Sequence, residues 1–122
     1  MNGIFYESYK EYVASYQGRE LVLFGAGKGA QEIIFHYYPN EDIAFICDNN
    51  KEKVGKKIFG IPVCSPEKLY ENPDKYVVLI TAKDNFAIKS ILQQLNTMNV
   101  THCYPSAILQ FANMVTRYID LG

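Results

Sequence analysis

Apolar positions along this chain fall into two alternating rhythms. Glu20 to Phe24, Ile43 to Cys47 and Tyr76 to Thr81 are short, nearly unbroken apolar runs, the pattern of strands covered on both faces. Between and around them, apolar residues recur at helical spacing. Lys28 to Tyr38 follows the first run and stops at Pro39; a long segment capped by Asp84 carries Phe86, Ile88, Ile91, Leu92 and Leu95. Ahead of the first run, Ile4 to Tyr16 sets Phe5, Tyr9, Tyr12, Val13 and Tyr16 on one side of a helix that Gly18 ends. Between the second and third long runs, Lys56 to Cys64 reads as two short extended pieces around Gly60, with Pro62 marking an edge strand. Ser65 then caps a short helix with Pro66 at its first position, ending near Asn72-Pro73. Val100 to Tyr104 is the last strand, and Ser106 caps a C-terminal helix from Ala107 to about Leu121.

Strands alternating with helices predict an α/β chain: a Rossmann-like three-layer fold, its parallel sheet of about five strands in the order 3-2-1-4-5, with helices on both faces. The organisation expected is an amphipathic helix over residues 1–19 and one domain over 20–122. The tyrosine stripe of the first helix is expected to pack on the domain or on a partner, so a homodimer or a partner enzyme could dock there.

The chain has 122 residues, the size of one domain, and is 48% hydrophobic, ordinary for a globular core. Its net charge of −1 and the lack of a basic stretch longer than Lys56-Lys57 argue against nucleic-acid binding. No apolar run reaches the ~20 residues of a membrane span, and the N-terminus is unlike a signal peptide. A cytoplasmic location is expected. Cys47, Cys64 and Cys103 form no C-x-x-C pair and read as reduced thiols, the first two within strands. No metal site and no Ser/His/Asp set or carboxylate pair is placed by spacing.

Candidate chemistry gathers after the first strand. In Phe24-Gly25-Ala26-Gly27-Lys28-Gly29-Ala30 an apolar strand enters a glycine-rich turn that opens a helix, an arrangement that offers backbone N–H groups to an anion. Gly25 allows the sharp turn, Gly27 leaves room for a phosphate, and Lys28 adds positive charge. Asp48 closes the second strand, where a carboxylate would accept from ribose hydroxyls, and Asn49 follows it in a turn. In a sheet of this order ligands sit beyond the strands' carboxyl ends where the order reverses, which brings Thr81 and Lys83 beside the glycine turn. Gly25, Ala26, Gly27, Lys28, Gly29, Asp48, Asn49, Thr81 and Lys83 are therefore the candidate cofactor-binding residues.

Val22-Leu23-Phe24-Gly25-Ala26-Gly27, Ile46-Cys47-Asp48-Asn49-Asn50, Gly55 to Val63 and Ser65-Pro66-Glu67-Lys68-Leu69 together resemble the small nucleotide-binding modules of bacterial surface-polysaccharide enzymes. These include the N-terminal domains of nucleotide-sugar acetyltransferases and of sugar dehydratases. The resemblance, over about Glu20 to Tyr104, implies a nucleotide or nucleotide-diphosphate-sugar ligand such as a UDP-sugar, with Gly25 to Gly29 on its phosphates and Asp48 on a ribose or base edge. The family's catalytic domains have no counterpart here, so the first reading is a non-catalytic binding module. Two alternatives stand beside it: an NAD-binding part of an oxidoreductase or dehydratase, since a carboxylate at Asp48 favours NAD over NADP, and a structural or interaction domain.

Overall fold

The computed structural model describes residues 3–111. Helix α1 (Gly3–Tyr16) precedes β1 (Glu20–Phe24), α2 (Lys28–His36) and β2 (Ile43–Cys47). The hairpin β3 (Lys57–Ile58) and β4 (Ile61–Cys64) leads to the short α3 (Glu67–Tyr70). Then come β5 (Tyr76–Ile80), α4 (Asn85–Thr97), β6 (Cys103–Pro105) and a 3₁₀ turn, Ser106–Leu109. The six strands lie in the order β3-β4-β2-β1-β5-β6, all parallel except β3, which is antiparallel to β4. The predicted five-stranded parallel order is thus present, with the hairpin strand added at one edge.

The two most apolar strands, β1 and β5, are neighbours at the centre, paired from Glu20↔Tyr76 to Phe24↔Ile80. Their alternate residues feed two cores. Leu21, Leu23, Val77 and Leu79 face Tyr12 of α1, Ala30 and Ile33 of α2, and Ile108 and Leu109. Val22, Phe24, Val78 and Ile80 face Leu69 of α3 and Leu95 of α4. A register shift between Leu21 and Val22 puts Ile43 and Phe45 of β2 on opposite sides and leaves Ala44 exposed, so β2 breaks the strict two-residue alternation.

Four local expectations change. Pro62 lies in β4, one strand in from the edge; it pairs with Lys57 of β3 before the ladder to β2 begins at Val63, so its missing N–H interrupts no bond to β2. The chain reverses between β3 and β4 at Phe59 (φ 50°) and Gly60 (φ 83°), two left-handed residues as a tight hairpin needs. Ser65 makes no side-chain cap; its carbonyl accepts from Lys68 N–H at 3.2 Å instead. Val100 belongs to a helix stop rather than a strand. Its N–H reaches back to the Leu95 carbonyl (2.9 Å), Asn99 N–H reaches that of Asn96 (3.1 Å), and Asn99 takes φ 66°. The strand then starts three residues later. The 3₁₀ turn at Ser106 has Pro105 as its cap, and most of the predicted C-terminal helix lies outside the described residues.

Asp84 does cap α4, its Oδ2 accepting from Ala87 N–H at 3.0 Å. Asp84→Ala is expected to cost about 1 kcal/mol, measured by denaturant unfolding, whereas an unchanged midpoint would show the cap to be idle. No described helix is long and apolar enough to cross a membrane.

Candidate functional site

The sheet order reverses between β1 and β5, and the carboxyl ends of both strands open there. Three main-chain bonds tie neighbouring strand ends together: Gly25 N–H to Cys47 O (2.7 Å), Thr81 N–H to Phe24 O (3.0 Å) and Asp48 N–H to Cys64 O (3.2 Å). The glycine turn is held in place by Thr81. The buried Thr81 hydroxyl donates to the Phe24 carbonyl at 3.0 Å, with the Gly25 carbonyl at 3.1 Å. Gly25 has φ +119°, and a Cβ there would strike that hydroxyl; a Cβ on Gly29 would stand 2.5 Å from the Thr81 carbonyl oxygen. Gly27 has open space around it, and Lys28 is exposed. Helix α2 starts at Lys28 without a side-chain cap.

Asp48 closes on the chain's own amides. Its Oδ2 accepts from Ala26 N–H and its Oδ1 from Asn50 N–H, both at 2.8 Å. Asn49 exchanges two amide hydrogen bonds with Gln94 of α4 (2.9 and 3.0 Å), and Gln94 also donates to the Tyr70 hydroxyl (2.9 Å). Together with Ser65 these residues line a polar hollow of about 360 Å3 beyond β2 and β4.

A larger hollow, about 690 Å3, lies beyond β5 and β6. Lys83 and Asn85 come from the β5 exit and the start of α4, Ile88 and Lys89 from the next turn of α4, and Ser106 and Ala107 from the β6 exit. A smaller one of about 200 Å3 adjoins it, sharing Lys83, Ser106 and Ala107 and reaching Gly29 of the glycine turn. The two make one crevice across the point where the strand order reverses. Lys83 stands in its middle and bonds Glu32 of α2 at 2.6 Å. That hydrogen bond and the lysine charge hold the Glu32 carboxyl below its usual range. Lys89 has no ion-pair partner among the described residues.

Of the residues singled out from sequence, Gly29, Thr81 and Lys83 meet at the reversal point, while Asp48 bridges from β2 to the turn at Ala26 and Asn49 faces α4. Asn85, Ile88 and Lys89 were missed. Their spacing of three and four puts them on one face of α4, and a parallel sheet directs the first turn of the following helix to the ligand end, so the signal was available. Among the described residues no three His, Cys, Asp or Glu side chains gather as a metal site.

The profile of the C-methyltransferase C-terminal domain family matches residues 11–103, from within α1 to the first residue of β6. No curated protein matches the sequence. The family match overturns the expected kinship with nucleotide-sugar acetyltransferase and dehydratase modules. With it fall the nucleotide-sugar function, its polysaccharide setting, the NAD-dependent and purely structural alternatives, and NAD or a UDP-sugar as ligand. The physical reason is that a strand, a glycine turn and a helix specify a backbone shape, and that shape serves many ligands.

Proposed function

This chain belongs to the C-methyltransferase C-terminal domain family, and from that premise we propose that it is the acceptor-side module of a carbon-methylating system. It binds a small anionic molecule whose carbon is to be methylated. The observation that carries this is the crevice beyond β1, β5 and β6, whose larger part is lined by Lys83 and Lys89 and by no carboxylate, in a chain of net charge −1. Its volume falls in the range of small-molecule sites, and Ile88, Ala82 and Pro105 give it an apolar wall.

Methyl transfer to carbon from an electrophilic donor requires a nucleophilic carbon, and in small metabolites the simplest is the enolate formed by removing a C–H beside a carbonyl. An acceptor of that kind with a carboxylate or phosphate matches both the cations and the apolar wall. Lys89 and Lys83 would hold the anionic group and the carbonyl oxygen. Gly29 borders the crevice at the start of α2, and its neighbours Gly27 and Lys28 add open space and positive charge. Thr81 and Asp48 keep the turn in shape.

An adenosyl methyl donor supplies the electrophilic methyl group in such chemistry. The residues at the end of β2 are already engaged within the chain, which leaves them less free for its ribose. Both Asp48 oxygens already accept from backbone amides, and the Asn49 amide is closed on Gln94. This supports a donor held by a second protein unit that meets the crevice at its mouth. The tyrosine face of α1 packs on this domain's own sheet, which favours a meeting place elsewhere. Three free cysteines fit a reducing, cytoplasmic setting.

Acetoacetate and dihydroxyacetone phosphate are suitable acceptor probes, with S-adenosylhomocysteine as the donor probe, each followed by thermal stability and calorimetry. At about 100 times its dissociation constant a bound acceptor adds roughly 2.7 kcal/mol of stability. Lys89→Ala should weaken acceptor binding about tenfold, as loss of one charge-assisted hydrogen bond does. Binding of S-adenosylhomocysteine that Asp48→Ala abolishes, with neither acceptor binding, would overturn the reading.

A further inference from the structure

We propose that Cys47 and Cys64 form a reversible disulfide when the protein meets a hydroperoxide, a covalent modification site separate from the crevice. The two cysteines are register partners on the adjacent parallel strands β2 and β4. Parallel partners stand about 4.8 Å apart between Cα atoms, inside the roughly 4.4–6.8 Å that a disulfide spans. Both side chains lie on the α3–α4 side of the sheet. The Cys47 thiol already points across the gap, its Sγ 3.9 Å from the carbonyl of Ser65, the residue after Cys64. Each cysteine is the last residue of its strand, so the backbone beyond it can yield to let the two sulfurs meet.

Their environments divide the labour. Cys47 is fully buried, and burial pushes its thiol up to about 12, so it is not the first to react. Cys64 is only half-buried. Ser65 and Asp48, the next residues after the two cysteines, line the 360 Å3 polar hollow, which brings solvent to within one residue of both. The Cys64 sulfur attacks one peroxide oxygen, the O–O bond breaks, and a sulfenic acid forms with release of water from hydrogen peroxide, or of the alcohol from an organic hydroperoxide. The Cys47 sulfur then attacks the sulfenic sulfur; the S–O bond breaks, the S–S bond forms, and a water leaves with the thiol proton. Two thiols are oxidised and one peroxide is reduced. Cys103, on β6, lies three strands from β2, about 14 Å away, and cannot join the bridge.

The full chain is treated with hydrogen peroxide, quenched, unfolded and alkylated with N-ethylmaleimide, then weighed intact and mapped by peptides. One alkylated thiol is expected, at Cys103, with a cross-linked peptide joining Cys47 to Cys64, and dithiothreitol before alkylation should restore three. Cys64→Ser should leave Cys47 fully alkylated after the same treatment, and Cys103→Ser should leave no alkylated thiol. Three alkylated thiols after peroxide, a bridge containing Cys103, or Cys64 driven to sulfinic acid beside an alkylated Cys47 would each overturn the proposal.

Discussion

Gly25→Ala is expected to lower the unfolding free energy by about 3 kcal/mol, a fall of roughly 10 °C in the thermal midpoint for a domain of this size. Two independent costs combine. At φ +119° an L side chain is strained by about 1–3 kcal/mol. The new methyl also enters the space of the buried Thr81 hydroxyl, which cannot swing away without giving up its bonds to the Phe24 and Gly25 carbonyls. Gly27→Ala is the control: its φ of −117° suits any residue and nothing stands within 4 Å of the added methyl, so its effect should stay within about 0.5 kcal/mol. In the double variant Gly25→Ala/Thr81→Ala the collision is gone and the backbone strain remains, so recovery should be partial. Equal effects of the two single glycine changes would show that Thr81 does not hold the turn as described.

Tyr12→Ala should cost more, about 4 kcal/mol, because a large aromatic is removed from a closed site. Tyr12 is 1% exposed, although it belongs to a helix ahead of the first strand. Its ring meets Tyr16 and Tyr104 edge-on at 5.8 and 5.7 Å, and its hydroxyl lies 2.6 Å from that of Tyr38, just past the end of α2. Ser15 bonds the Tyr104 hydroxyl at 2.8 Å, a second tie between α1 and β6. Burial, then the Tyr38 hydrogen bond, holds the Tyr12 hydroxyl well above the usual phenol range, so it stays protonated and available to donate. Tyr12→Phe keeps the ring and loses only that bond, and about 1 kcal/mol is expected. Urea unfolding measures both. A Tyr12→Ala loss no larger than that of Tyr12→Phe would mean that α1 is an appendage rather than part of the core.

The tyrosine stripe shows how a correct pattern can leave its destination open. Spacing alone put Tyr9, Tyr12 and Tyr16 on one side of a helix, and left both packing on the domain and docking to a partner open. The choice fell to Tyr38 and Tyr104, which supply ring edges and a hydroxyl from positions 26 and 92 residues away in the chain. A similar limit applies to the glycine turn. Its shape was readable, because only glycine serves where φ is strongly positive and where a helix start presses on a neighbouring strand. Its ligand was not: the same turn serves many ligands, and the Asp48 expected to face a ribose also accepts from Ala26 and Asn50, bonds that residue type alone did not foretell.

What the sequence determined by itself is the sheet and its order. Unbroken apolar runs need cover on both faces, and parallel strands joined by right-handed crossovers leave few ways to provide it. The ends of elements were less secure. Val100 looked like strand until its N–H was found satisfied by the helix before it, and a backbone group's partner is a three-dimensional fact that residue type does not encode. Only the tertiary structure gathered Lys83, Lys89 and Ser106 around one crevice and set Cys47 beside Cys64. Each of those groupings joins segments from separate strand exits or separate strands, and their proximity arises from sheet order and register, which act across the chain rather than along it.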